Sequence, residues 1–258
     1  MIILWIMYNN FTNIISSGCS FMAYPWEWQS KSRDSYDPLA DPGVNKQNLA
    51  DFNSWANCLS RRTNLPSINL AYPGNSNQNA INKLVRTIHK NNLTNSFVVL
   101  GLTQPIRHTI PSDVGVEDPV IIKITADTPK SSVAKNKVTD NDINNYSKYW
   151  YKVNYDEVQE SDNIRIQLLL LNEFIKSKNS KLIVIDNIFC LELYPKNEIK
   201  NHEYFFTFND EVGISWPNFI KTYDSSYENE WHPNAADHQK LSNLFYQNFF
   251  INKTKRLI

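Results

Sequence analysis

The stretch Asn13-Ile14-Ile15-Ser16-Ser17-Gly18-Cys19-Ser20-Phe21 decides the fold. It reads as a short buried strand running into a tight glycine turn, which leaves the small hydroxyl of Ser20 at the strand's C-terminal end. In open α/β sheets ligands bind at that end. Near the far end of the chain, Trp231-His232-Pro233-Asn234-Ala235-Ala236-Asp237-His238 opens the last amphipathic helix. A serine after the first strand and a histidine before the last helix have the chemistry of a nucleophile–base pair, provided that folding joins them.

Between these two stretches, apolar runs alternate with helical patterns. Leu49, Phe52, Trp55, Ala56 and Leu59 follow helical spacing over about 48–62. Ser67-Ile68-Asn69-Leu70 reads as a second strand, and a turn through Gly74 and Asn75 leads to a helix over about 77–90. Phe97-Val98-Val99-Leu100-Gly101 is continuous and apolar, as strands buried on both faces are. Leu102 to Arg107 follows as a strand-end loop, and Val120 to Ile124 as a strand or hairpin arm. A helical region over about 142–178, the strand Lys181 to Asp186 and a final helix over about 234–248 complete the order. Strands alternating with helices signal parallel βαβ units. The expected class is α/β: a three-layer α/β/α sandwich around a flavodoxin-like, doubly wound parallel sheet. No internal repeat or linker divides the 258 residues, so one domain over 1–258 is expected. Long loop insertions fall at about 22–46, 111–140 and 190–230, the first and last rich in aromatic residues.

Composition narrows the function. Lys+Arg and Asp+Glu are both 26, so the formal net charge is zero, which removes the electrostatic case for nucleic acid or an anionic membrane as principal partner. Cys19, Cys58 and Cys190 form no CxxC or Cys/His pattern; reduced thiols and no metal are expected. The apolar opening Met1 to Met7 lacks a basic region before it and is too short to span a bilayer. A frayed extension or an added strand is expected there, with Met7 an alternative start. No convincing signal peptide or transmembrane segment is read, so the expectation is a soluble protein, cytoplasmic or virion-associated. The abundant asparagine reads as compositional bias.

Four short blocks, in order, resemble the SGNH/GDSL hydrolase family. Gly18-Cys19-Ser20-Phe21 stands where the family has Gly-Asp-Ser, and looks like the Gly-Cys-Ser-Phe version of phage- and bacteria-derived members. Asn69-Leu70-Ala71-Tyr72-Pro73-Gly74 matches the second block and its glycine. Gly101-Leu102-Thr103-Gln104 occupies the place of Gly-x-Asn-Asp, with Thr103 for the asparagine. His232-Pro233-Asn234 matches the last block, although Asn229 stands three residues before His232, where the family has aspartate. The resemblance spans roughly 13–249, leaving 111–140 and much of 190–227 uncovered.

That resemblance implies a serine esterase. Ser20 would attack the acyl carbon, His232 would move the proton, and Glu230 would orient His232, with Glu228 or Asp224 as alternative acids. The oxyanion would be held by the Ser20 and Gly74 backbone N–H groups, with Thr103, Asn77 or Asn75 as further donor. No cofactor or metal is implied. The aromatic loops favour acetyl esters on a glycan as substrate. A carbohydrate-binding module with weakened catalysis, and an acyltransferase using the same triad, are the competing readings. Bland roles compete residue by residue. Ser20 could be only a turn residue, His232 a helix-entry residue, and Asn75, Ser76 and Asn77 caps of the following helix. His238 reads as structural and Cys19 as a small buried neighbour of Ser20. Arg107 and His108 are either anion contacts or a solvated loop face.

Overall fold

The computed structural model describes residues 11–23, 54–71, 75–104, 107–110, 120–123, 130–131, 145, 149, 156–187, 202–206, 208, 216, 218–219 and 233–251. Strand β1 (Asn13–Ser17) ends at Gly18, and a single helical turn, α1 (Ser20–Ala23), follows. Helix α2 (Trp55–Thr63) leads into β2 (Ser67–Asn69), and α3 (Asn77–Lys90) into β3 (Ser96–Leu102). Strands β4 (Arg107–Ile110), β5 (Val120–Lys123) and β6 (Lys130–Ser131) come next. Helix α4 (Glu157–Ser177), β7 (Lys181–Asp186) and α5 (Ala235–Phe245) follow, and α5 runs on into a π-helical segment, Tyr246–Ile251.

The main sheet has the order β2-β1-β3-β7, all parallel. Its buried side chains divide by strand alternation. Ile15, Val98, Leu100, Leu182 and Val184 pack against Leu84 and Ile88 of α3 and Leu168, Leu171 and Ile175 of α4. Ile14, Phe97, Val99, Ile183 and Ile185 pack on the other face against Trp55 and Leu59 of α2 and Leu241 and Phe245 of α5. Helices thus cover both faces, and the α/β/α sandwich with a doubly wound sheet is the observed architecture. The strand order is the flavodoxin-like one, whose reversal lies between β1 and β3.

Three elements differ from the sequence reading. Arg107, expected at the end of a strand-end loop, instead begins β4, which pairs antiparallel with β5 as β5 does with β6, a second sheet of three strands beside α3. The expected helix over 142–178 does not run through, because Asp156 is extended and caps α4, accepting from the Val158 and Gln159 N–H groups. The last helix changes to π geometry at Tyr246, where Phe249 and Phe250 both pack on Phe97.

Helix directions fix which chain ends meet. Helix α2 ends at Thr63, and Asn64, in the left-handed conformation (φ 56°), turns the chain directly into the start of β2. Trp55, at the other end of α2, therefore lies toward the C-terminal ends of the strands. His238 in the first turns of α5 accepts a 3.0 Å hydrogen bond from the Trp55 N–H. Further along, Phe245 and Phe249 contact Phe97 near the start of β3. Helix α5 thus begins at the strand C-terminal ends and descends antiparallel to the sheet.

Candidate functional site

The strand C-terminal ends are tied together by side-chain amides. Gly18 sits at φ 148°, a conformation L side chains rarely adopt, and it turns the chain from β1 into α1. The Gly18 carbonyl accepts from Asn75 Nδ2 at 3.0 Å, and Asn75 Oδ1 accepts from Asn79 Nδ2 at 2.7 Å. The far end of α1 is held in the same way. Ala23 O accepts from Asn69 Nδ2 at 2.7 Å, while Asn69 Oδ1 accepts from the Ser16 hydroxyl at 2.8 Å. Inside the turn, the Met22 N–H donates to the Cys19 carbonyl at 3.0 Å. The single-turn helix that Ser20 opens is thereby anchored at both ends by the β2 side of the sheet.

A second amide pair joins the loops after β2 and β3. Asn77 is buried, and its Oδ1 accepts from the Thr103 N–H at 2.7 Å while its Nδ2 donates to the Thr103 carbonyl at 2.8 Å. Both bonds fix the Thr103 main chain. The Thr103 hydroxyl is itself buried and meets no hydrogen-bond partner among the described residues. Buried hydroxyls without partners are uncommon and ask for an explanation.

Of the residues singled out from sequence, Ser20 begins α1 directly beyond the end of β1, and Thr103 and Asn77 meet at the end of β3. Gly74, His232 and Glu230, with the alternative acids Glu228 and Asp224, lie outside the described residues. So do the aromatic positions expected over 24–36. Ser76, not Asn75 or Asn77, is the cap of α3, accepting from the Asn79 N–H at 3.2 Å. Asn234 caps α5 in a reciprocal box with Asp237. Arg107 and His108 lie on β4 opposite Lys123 and Ile122. Asn69, Asn79 and Asn187 had no signal of their own in an asparagine-rich chain. Their roles come only from where the strands end.

His238 is structural, as its position on α5 indicated. It is fully buried, its Nδ1 accepts from Trp55, the Trp216 ring lies edge-on at 5.2 Å, and burial lowers its pKa to about 3. Accepting at Nδ1 places the proton of the neutral ring on Nε2, so the folded protein holds the uncharged tautomer. The unfolded chain takes up a proton below pH 6.5 that the folded chain refuses down to about pH 3. Stability should therefore fall on acidification within that window, by up to about 1.4 kcal/mol per pH unit from this residue. Urea unfolding at pH 7.5 and pH 5, on the native chain and His238→Gln, isolates the effect. The pH-dependent loss is expected to be smaller in the variant by roughly 2 kcal/mol, and equal losses would contradict the assignment.

Among the described residues no group of three or more His, Cys, Asp or Glu is placed to hold a metal, and no helix is long and apolar enough to cross a membrane. No model of a known protein family matches the chain, and no curated protein sequence does. Solved structures similar to it include a protein from Desulfitobacterium hafniense described as lipolytic and of the G-D-S-L family, at 9% identity and a TM-score of 0.46, covering 92% of this chain and 98% of that one. A second is the Bacillus subtilis protein YXIM, at 12% identity and a TM-score of 0.45, covering 93% of this chain and 56% of that one. A third is a carbohydrate esterase family 2 enzyme with a carbohydrate-binding domain from Corynascus, at 10% identity and a TM-score of 0.42, covering 93% of this chain and 65% of that one.

Proposed function

We propose that the chain is a serine esterase in which Ser20 is the nucleophile and His232 its base. The observation that carries this reading is the placement of Ser20. It stands one turn beyond β1, at the reversal of strand order, on a backbone fixed by Asn75 and Asn69. Helix α5 begins at the same end of the sheet, and His232 precedes its first described residues, Pro233 and the cap Asn234, in the chain. That connectivity supports the proposal that the imidazole of His232 works at the end of the sheet where the serine lies.

The chemistry follows from those groups. A serine hydroxyl is a weak nucleophile at neutral pH and needs a base to take its proton as it attacks an acyl carbon. Histidine suits because its ordinary pKa lets it take that proton and return it to the leaving alcohol. Glu230 is the acid proposed to orient it, and water then releases the acyl group by the same route. The negative oxygen of the tetrahedral intermediate needs fixed donors. The Ser20 and Gly74 N–H groups are two. For the third, the Thr103 hydroxyl is favoured, because it has no other partner among the described residues and Asn77 locks its main chain. Asn77 Nδ2 keeps one hydrogen beyond the Thr103 carbonyl and is the alternative donor.

Thr103→Val keeps the side-chain shape and removes the hydroxyl. It is expected to lower kcat on p-nitrophenyl acetate by on the order of a hundredfold or more with little change in KM. Asn77→Ala should lower both activity and the urea midpoint, since it frees two buried backbone groups of Thr103. An unchanged kcat for Thr103→Val would remove that residue from the oxyanion site.

Acetyl esters on a glycan are the proposed substrates, on the strength of the aromatic residues that follow β1 in the chain, Tyr24, Trp26, Trp28 and Tyr36; Tyr204, Phe208, Trp216 and Phe219, which follow β7, are buried in the core and take no part in that argument. The general reading is tested by p-nitrophenyl acetate hydrolysis with the native chain and Ser20→Ala. Equal rates would leave a binding protein on the same scaffold as the better account, while an added sugar acceptor that competes with water would make it an acyltransferase.

A further inference from the structure

Asn187 follows β7 immediately and is fully buried. Its N–H donates to the Leu102 carbonyl at 3.2 Å, continuing the β3–β7 register by one residue. Its side chain lies over Gly101, where an added Cβ would overlap Asn187 Nδ2 and Met22 Cγ. The same Nδ2 lies 3.9 Å from the sulfur of Cys19, the residue before Ser20. Asn187 Oδ1, by contrast, meets no partner among the described residues.

An amide in this place is a poor choice for packing alone. A buried acceptor without a partner costs stability, and an apolar side chain of similar size would fill the space over Gly101 without that cost. What the amide supplies is a polar contact to the Cys19 sulfur from the β7 side. Asn75 and Asn69 already hold the turn from the β2 side. Asn187 completes the restraint across the sheet, and of these three amides it alone reaches the residue adjoining Ser20.

We infer that Asn187 is a positioning residue: its amide, seated over Gly101 and against Cys19, fixes the turn that presents Ser20. The inference rests on the reading of Ser20 as nucleophile. An amide whose contacts run from β3 and β7 to β1 couples the loop carrying the proposed oxyanion donor, Thr103, to the turn carrying the proposed nucleophile. Small displacements between such groups are felt in the rate, since a shift of about 1 Å in a reacting geometry costs up to a hundredfold.

The test uses Asn187→Leu, Cys19→Ala and the double variant, each assayed on p-nitrophenyl acetate and by thermal melting, with Ser20→Ala in parallel. Asn187→Leu is expected to lower kcat roughly ten- to a hundredfold with KM unchanged and with a melting temperature no lower than that of the native chain. The double variant should be no slower than the slower single one, because both remove one contact. A kcat unchanged in Asn187→Leu, or additive losses in the double variant, would overturn the inference. Should Asn187→Leu fail to fold, Asn187→Asp, which keeps the shape, is read in the same way. If Ser20→Ala itself keeps the native rate, the esterase reading fails first. If Ser20→Ala is inactive and Asn187→Leu is not impaired, only the positioning role falls.

Discussion

The double variant Ser20→Ala/His232→Ala is expected to hydrolyse p-nitrophenyl acetate no more slowly than Ser20→Ala alone. Each single variant should fall by on the order of ten-thousandfold or more in kcat, with protein still folded by circular dichroism. The reason is that a nucleophile and its base act as one unit. Without the base the hydroxyl keeps its proton, and without the hydroxyl the base has nothing to activate. Independent contributions would multiply, giving a double variant far slower than either parent. That outcome, or a His232→Ala chain with native activity, would separate the two residues. The same series carried out with Glu230→Gln, Glu228→Gln and Asp224→Asn ranks the three acids. The one that orients the imidazole should reduce kcat by orders of magnitude, and the other two should leave it near the native rate.

Gly18→Ala is expected to cost stability on two counts, backbone strain and overlap. The φ of 148° is one that alanine adopts only at a cost, on the order of 1–3 kcal/mol. The added Cβ would also lie 2.7 Å from the Gly101 carbonyl oxygen and 2.8 Å from Met22 Cγ. The first of these is main chain in the centre of the sheet, paired with β7, and it has nowhere to retreat. Overpacking of this kind adds roughly 1–3 kcal/mol. A combined loss of about 4 kcal/mol would lower the melting temperature by roughly 10 °C in a chain of this size. Since Gly18 lies two residues before Ser20, surviving folded protein should also lose activity. A melting temperature within 2–3 °C of the native one would contradict the strain assigned to this turn.

The central sheet is legible from sequence, while its fastening is not. Hydrophobic runs at Ile14, Phe97 to Leu100 and Leu182 to Ile185 report burial on both faces, which is the mark of strands in a parallel sheet. Helix α3 was readable to the residue, Asn77–Lys90, because its apolar spacing is regular and Ser76 is a good cap. Periodicity cannot register a change from α to π geometry, so the end of α5 at Tyr246 was hidden. Nor could it show β4, a short stretch whose partner, β5, lies beyond a connection from 111 to 119.

The candidate site divides along the same line. Ser20 was visible because a strand, a glycine and a hydroxyl form a local pattern. The amides that hold its turn come from Asn69, Asn75 and Asn187, which are 49, 55 and 167 residues away in the chain. Their roles are set by which strands lie side by side, a property of the order β2-β1-β3-β7. In a chain where asparagine is common everywhere, nothing local distinguishes Asn69 or Asn187, and Asn75 reads from sequence only as a cap or an oxyanion donor. Asn77 reads from sequence as a cap or an oxyanion donor, and its two bonds to the Thr103 main chain are a third role that only the fold reveals.

The central claim, that Ser20 and His232 share one site, is tested most directly by covalent labelling. The native chain, treated with a fluorophosphonate that reacts only with base-activated serines, is digested and mapped by mass spectrometry. One phosphonyl group should be found per chain, on the peptide carrying Ser20, and labelling should be lost in His232→Ala while that variant remains folded. No adduct on the native chain, an adduct on a different serine, or labelling of Ser20 that persists without His232 would contradict it.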